Sequence, residues 1–188
     1  MALTTIDPTP ALVVIDLQQG IVSAHRDPAV DVAVERAARL AAAFRRHRLP
    51  VVLVTVIGRA PGRTDGGRSG GGGVPPDGWA DLVGELDAQP GDHLITKRRR
   101  SAFHDTGLDT LLRDLGATQV VLAGISTSSG VESTARSAAD HGYHVVLATD
   151  AMTDPDPEAH RHSITRIFPK LGETATAAEV VAELEATR

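Results

Sequence analysis

The chain is expected to fold as a single α/β domain, three layers deep, with a mostly parallel sheet of about six strands between two layers of helices. Two observations predict this. Short apolar runs at 11–15, 51–57 and 120–123 are almost free of polar residues, as in strands covered on both faces. These runs alternate with stretches of helical periodicity, and that alternation marks a parallel sheet. Length agrees, since 188 residues suit one domain with a real core. No repeat or linker divides 1–188. Aromatic residues make up only 3% of the chain, so the core must rest on Val, Leu, Ile and Ala.

Taken in order, the leader to Pro10 holds two prolines and is expected to be extended. The first strand covers 11–15 and is followed directly by Asp16. An unpaired buried carboxylate is costly, so Asp16 either caps the next turn or serves chemistry. Residues 20–28 read as a loop. Residues 31–47 form an amphipathic helix, with Val34, Ala37, Ala38, Ala41 and Phe44 on one face. Pro50 interrupts, and the second strand follows at 51–57. The stretch 58–78 carries nine glycines and is too irregular for a regular element. It is either a surface insertion or a lid bringing Arg59, Arg63 or Arg68 to an anionic substrate, with Arg59 best placed just past the strand. A short helix is expected at 79–86.

The third strand, 93–96, leads into Lys97, the first of four consecutive cations. Arg98, Arg99 and Arg100 read as a solvated patch. A helix spans 108–115 and stops at Gly116. The fourth strand, 120–123, runs into Gly124 and a cluster of small hydroxyl residues. A helix over 128–141 follows and ends at Gly142. Strand, tight turn and helix in that order place a ligand site at the carboxyl end of the strand. The fifth strand covers 143–149 and is closed by Asp150. Helices follow at 157–168, after the acids Asp154 and Asp156, and at 176–185.

The turn resembles the signature of the isochorismatase-like superfamily, or cysteine hydrolases, through Gly124, Ile125, Thr127, Val131, Thr134 and Ala135. Two upstream landmarks fit the same family. One is the first strand with its terminal acid, 11–18. The other is Lys97 heading K-x-x-x-S-A-F with Ser101, Ala102 and Phe103. The resemblance covers about 11–170 and implies a Rossmann-like hydrolase domain. It implies catalytic roles for Asp16 and Lys97, and places Gly130 where the family's nucleophilic Cys stands. It also implies a substrate pocket that includes Arg59, Phe103, Ile125, Ser126, Thr127 and Ser129, with a non-proline cis peptide near Ser126 and Thr127. Family members usually form oligomers, so a homo-oligomer (dimer or tetramer) is expected, with the final helix and the face near Phe168 as candidate interfaces.

The chain contains no cysteine, so a thiol nucleophile is excluded. Isochorismatases of the same superfamily also carry Gly at that position. They hydrolyse a vinyl ether with the Asp as general acid, and the Gly leaves room for substrate. The spelling of the turn, however, is closer to the amide-hydrolase branch. Three readings stay open: a thiol-independent hydrolase of a small anionic molecule, a ligand-binding relative without turnover, and an amidase using Ser128 or Ser129. His104, His160 and His162 read as solvent-facing or structural.

Nicotinamidases of the superfamily hold a metal through an Asp and His cluster after the second strand. Here Val56-Ile57-Gly58-Arg59 stands there without a nearby His, so no metal is expected. Nothing calls for a cofactor. The formal charge of −5, with both signs interspersed, argues against a nucleic-acid partner. No apolar run approaches ~18 residues and no h-region is visible, so no membrane association and a cytoplasmic location are expected.

Overall fold

The computed structural model describes residues 3–25, 27–63, 65 and 76–188. Six strands, β1 Pro10–Ile15, β2 Val51–Val56, β3 His93–Lys97, β4 Gln119–Ile125, β5 His144–Thr153 and β6 Glu173–Ala175, form one sheet in the order β3-β2-β1-β4-β5-β6. Every pairing in it is parallel. The order reverses between β1 and β4, which is where open α/β sheets form their ligand crevice.

Side chains alternate across the strands, and each face has its own helices. Leu12, Val14, Leu53, Val121 and Val146 pack with α2 Pro28–Arg46 and α6 Ala177–Ala186, while α1 Gln19–Val22 sits beside them. Val13, Ile15, Val54, Val120, Leu122 and Leu147 pack with α3 Leu108–Asp114 and α4 Glu132–Asp140 on the other face. The core is aliphatic, as the composition requires. No helix among the described residues is long and apolar enough to cross a membrane.

Several boundaries differ from expectation, each for a visible reason. α2 starts at Pro28 because the Asp27 side chain accepts from Ala29 N and the proline fits the first turn. No helix forms over 79–86. Its backbone bonds go to the segment after β1 instead: Gly20 N donates to Trp79 O, Gln19 N to Asp81 O and Val83 N to Leu17 O. Only a single 3₁₀ turn, Gly84–Leu86, remains. That same segment after β1, expected as loop, makes the short α1.

β5 runs on past Asp150 to Thr153, with a register shift opposite β4. The helix expected over 157–168 is regular only as α5 Pro157–His162, and continues as a wide turn, Ser163–Ile167, and a 3₁₀ turn, Phe168–Lys170. Pro169 has no N–H to extend the ladder. Phe168 itself is fully buried in the monomer core. The sixth strand, unplaced from sequence, is the three-residue β6 beside Val146–Ala148.

Candidate active site

The carboxyl ends of β1, β3 and β4 converge on one point. Asp16 leaves β1 in the left-handed region, φ 54°, where Asp is among the tolerated residues. Gln18 holds this corner. Its side-chain amide accepts from Val56 N at 2.6 Å and donates to Val56 O at 3.2 Å, so a buried glutamine completes the backbone pairing at the end of β2. Lys97 ends β3, two strands away, and its long side chain crosses beneath that end. Its Nζ lies 2.6 Å from Asp16 Oδ2, with the lysine only 2% exposed.

Burial dominates the electrostatics of this pair. Desolvation pushes the Asp16 carboxyl up from 3.8 to about 6, against the opposing charge and hydrogen bond of Lys97. Asp16 Oδ1 is buried without a partner among the described residues. One oxygen is therefore tied to the lysine, and the other is buried without a hydrogen bond from the described residues.

β4 reaches the site because Gly124 has no side chain. At φ 122° its Cβ would overlap the Ile15 carbonyl, so only glycine lets β4 lie this close to β1. The peptide between Ile125 and Ser126 is cis, one residue earlier than the resemblance placed it. A wide turn, Thr127–Val131, then opens α4. Gly130 faces the carboxylate: a Cβ there would stand 3.2 Å from Asp16 Oδ2, 3.0 Å from Ile15 Cγ2 and 3.6 Å from Ile125 O.

The Lys97 loop is sewn to α4. Thr134 Oγ1 donates to Gly130 O at 2.7 Å and accepts from Ala102 N at 3.0 Å, and Ser101 Oγ lies 2.8 Å from Ser137 Oγ. These bonds give the Ser-Ala pair of the Lys97 motif a structural meaning.

The structure thus brings Asp16, Lys97, Gly130 and Ile125 together, with half-buried Ser126 and Ser129 on the same turn. Phe103 is elsewhere. Its ring stacks on His141, 5.0 Å between centroids, and lies tilted against Tyr143, at the far end of α4 and the amino end of β5. Arg59 and Arg63 are exposed, and Arg68 lies outside the described residues. Ser128 is exposed, and its N and Oγ both donate to Asp154 Oδ2, at 2.8 and 2.7 Å.

Two residues that sequence reasoning passed over touch this region. One is Gln18, whose signal was an amide placed directly after a fully buried strand. The other is His160, read as structural or solvent-facing, whose Nδ1 lies 2.8 Å from the buried Thr127 hydroxyl. Among the described residues, no group of three His, Cys, Asp or Glu side chains is disposed to hold a metal ion.

The isochorismatase-domain family model matches residues 10–179. The chain belongs to the isochorismatase family. This hydrolase-family chain is 39% identical over 180 residues to the uncharacterized isochorismatase family protein YwoC of Bacillus subtilis, covering 93% of this chain and 94% of that one. It is 30% identical over 187 residues to the maleamate amidohydrolase of Pseudomonas putida, covering 93% and 86%. A solved isochorismatase family protein from Burkholderia thailandensis superposes with a TM-score of 0.89 at 42% identity, over 96% of this chain and 98% of that chain.

Proposed function

We propose that this isochorismatase-family chain hydrolyses a small anionic molecule, with Asp16 as the general acid and Lys97 as its electrostatic partner, and without a thiol. The observation that supports this most is the buried Asp16–Lys97 pair, with the backbone of Gly130 packed against its carboxylate. A carboxyl titrating at about 6 is poised to give and regain a proton near neutrality. Arg59 and Arg99 lie just beyond the carboxyl ends of β2 and β3, and this positive edge suits an anion.

The reaction that fits best is vinyl-ether hydrolysis. Protonated Asp16 gives its proton to the terminal alkene carbon, and the π pair forms the new C–H bond. The oxocarbenium ion left behind is captured by water, whose proton returns to Asp16. The resulting hemiketal breaks to a ketone and an alcohol. Lys97 stabilises the carboxylate between the two proton transfers. With isochorismate as substrate, the products are pyruvate and a dihydrodiol.

Similarity to a maleamate amidohydrolase favours a second reading, amide hydrolysis, in which ionised Asp16 acts as the base on water. Pyruvate release from isochorismate and ammonia release from maleamate by the purified protein separate the two. Release of neither, with isochorismate bound, leaves a binding protein without turnover.

A further inference from the structure

The turn that carries Gly130 is gripped from its outer side by one connection. Thr127 opens the turn and is wholly buried. A buried hydroxyl without a partner is costly, so its partner matters. That partner is His160 Nδ1 at 2.8 Å, supplied from 33 residues further along the chain. The next residue, Ser128, donates twice to Asp154 Oδ2. Asp154 Oδ1 in turn accepts from Asp156 N, and Asp156 caps α5 through Glu158 N and Ala159 N. The segment from Asp154 to His160 is therefore a braced unit that holds Thr127 and Ser128 side by side. Two residues later the same turn presents Gly130 to Asp16. Burial draws the His160 imidazole below its ordinary range, which keeps one ring nitrogen free to accept near neutrality.

We propose that His160 is a positioning residue: by holding the Thr127 hydroxyl it fixes the turn so that Gly130 stays against the Asp16 carboxylate. This rests on the reading of Asp16 as the acid–base group. Without the bond the turn keeps its Asp154 and Thr134 anchors but loses the one at its first residue, so its packing against Asp16 loosens and admits water. Desolvation is the largest cause raising the Asp16 carboxyl, so water entry lowers it.

The test follows the Asp16 carboxyl by ¹³C NMR against pH in the wild type, His160→Leu, His160→Asn, Thr127→Val and the Thr127→Val/His160→Leu double variant. Alongside it, kcat and KM are measured on whichever of isochorismate or maleamate the wild type turns over. In His160→Leu the midpoint drops from about 6 by about half a pH unit or more. In the same variant kcat falls about tenfold, while KM changes less than about threefold. His160→Asn, whose side-chain amide reaches the place of Nδ1, restores most of both. Thr127→Val, which removes the hydroxyl at constant volume, reproduces the leucine variant, and the double variant is no worse than either single one.

A merely structural role lowers the melting temperature but leaves the midpoint and kcat in place. An unmoved midpoint in folded His160→Leu or Thr127→Val overturns the proposal, and so do indistinguishable Leu and Asn variants or additive effects. If the wild type turns over neither substrate, the proposed function fails, and the NMR midpoints alone still decide the positioning role.

Discussion

Burying the Asp16 carboxyl makes the stability of the fold depend on pH in an unusual direction. The folded protein holds the Asp16 proton up to about pH 6, against 3.8 for the ordinary group. Below the lower value both states are protonated and the group is neutral to stability. As pH rises from about 4 to about 6, the unfolded chain ionises first and is favoured, so stability falls and then levels off. The gap between 3.8 and about 6 corresponds to about 3 kcal/mol at 1.36 kcal/mol per pH unit. Asp16 is almost fully buried, so solvent screening removes little of this.

Urea unfolding of the wild type and Asp16→Asn, in steps from pH 3.5 to 7, isolates the contribution, because the other titrating groups are common to both proteins. The difference between the two stabilities should decline by about 3 kcal/mol over that range, equivalent to roughly 1 M in urea midpoint. A flat difference, or one that rises with pH, refutes the reasoning, because it means that the Lys97 attraction outweighs desolvation.

Lys97→Met removes the groups that lower the Asp16 carboxyl, so its midpoint in an NMR titration should move further above its wild-type position. Gly130→Ala places a methyl 3.0 Å from Ile15 Cγ2 and 3.2 Å from Asp16 Oδ2. It should cost about 1 kcal/mol in thermal unfolding, with overpacking partly offset by helix propensity, and lower kcat/KM on the order of tenfold by pushing the turn and the Asp16 carboxylate apart. Ser129→Ala should retain full turnover, since its hydroxyl is not the nucleophile, and Ser128→Ala, which keeps the backbone bond to Asp154 and loses only that of the hydroxyl, should lose no more than about threefold in kcat. Loss of activity in the serine 129 variant restores the Ser-dependent amidase.

The central strands were legible because β1 and β4 are covered on both faces and so are uniformly apolar. Asp16 stood out for the complementary reason: an acid ends a strand with no exposed face. The meeting of Asp16 with Lys97 was not legible from periodicity. The two are 81 residues apart, and only the family resemblance paired them. The same distance problem hid His160, whose bond to Thr127 depends on where β5 ends and α5 begins.

Phe103 sits in the same motif as Lys97, yet the loop turns back along α4 and takes the ring to the amino end of β5, against His141 and Tyr143. Residues 79–86 misread as a helix because their backbone partners belong to the segment after β1, which local sequence does not reveal. β6 is too short and too polar to produce a pattern.

The most direct test of the account is pyruvate release from isochorismate measured against pH, with Asp16→Asn alongside. The account predicts kcat/KM half-maximal near pH 6, falling about tenfold per pH unit above it as the acid ionises, and no release by the variant. A rate that instead climbs through pH 6 to a plateau, or release retained in Asp16→Asn, contradicts Asp16 as the general acid.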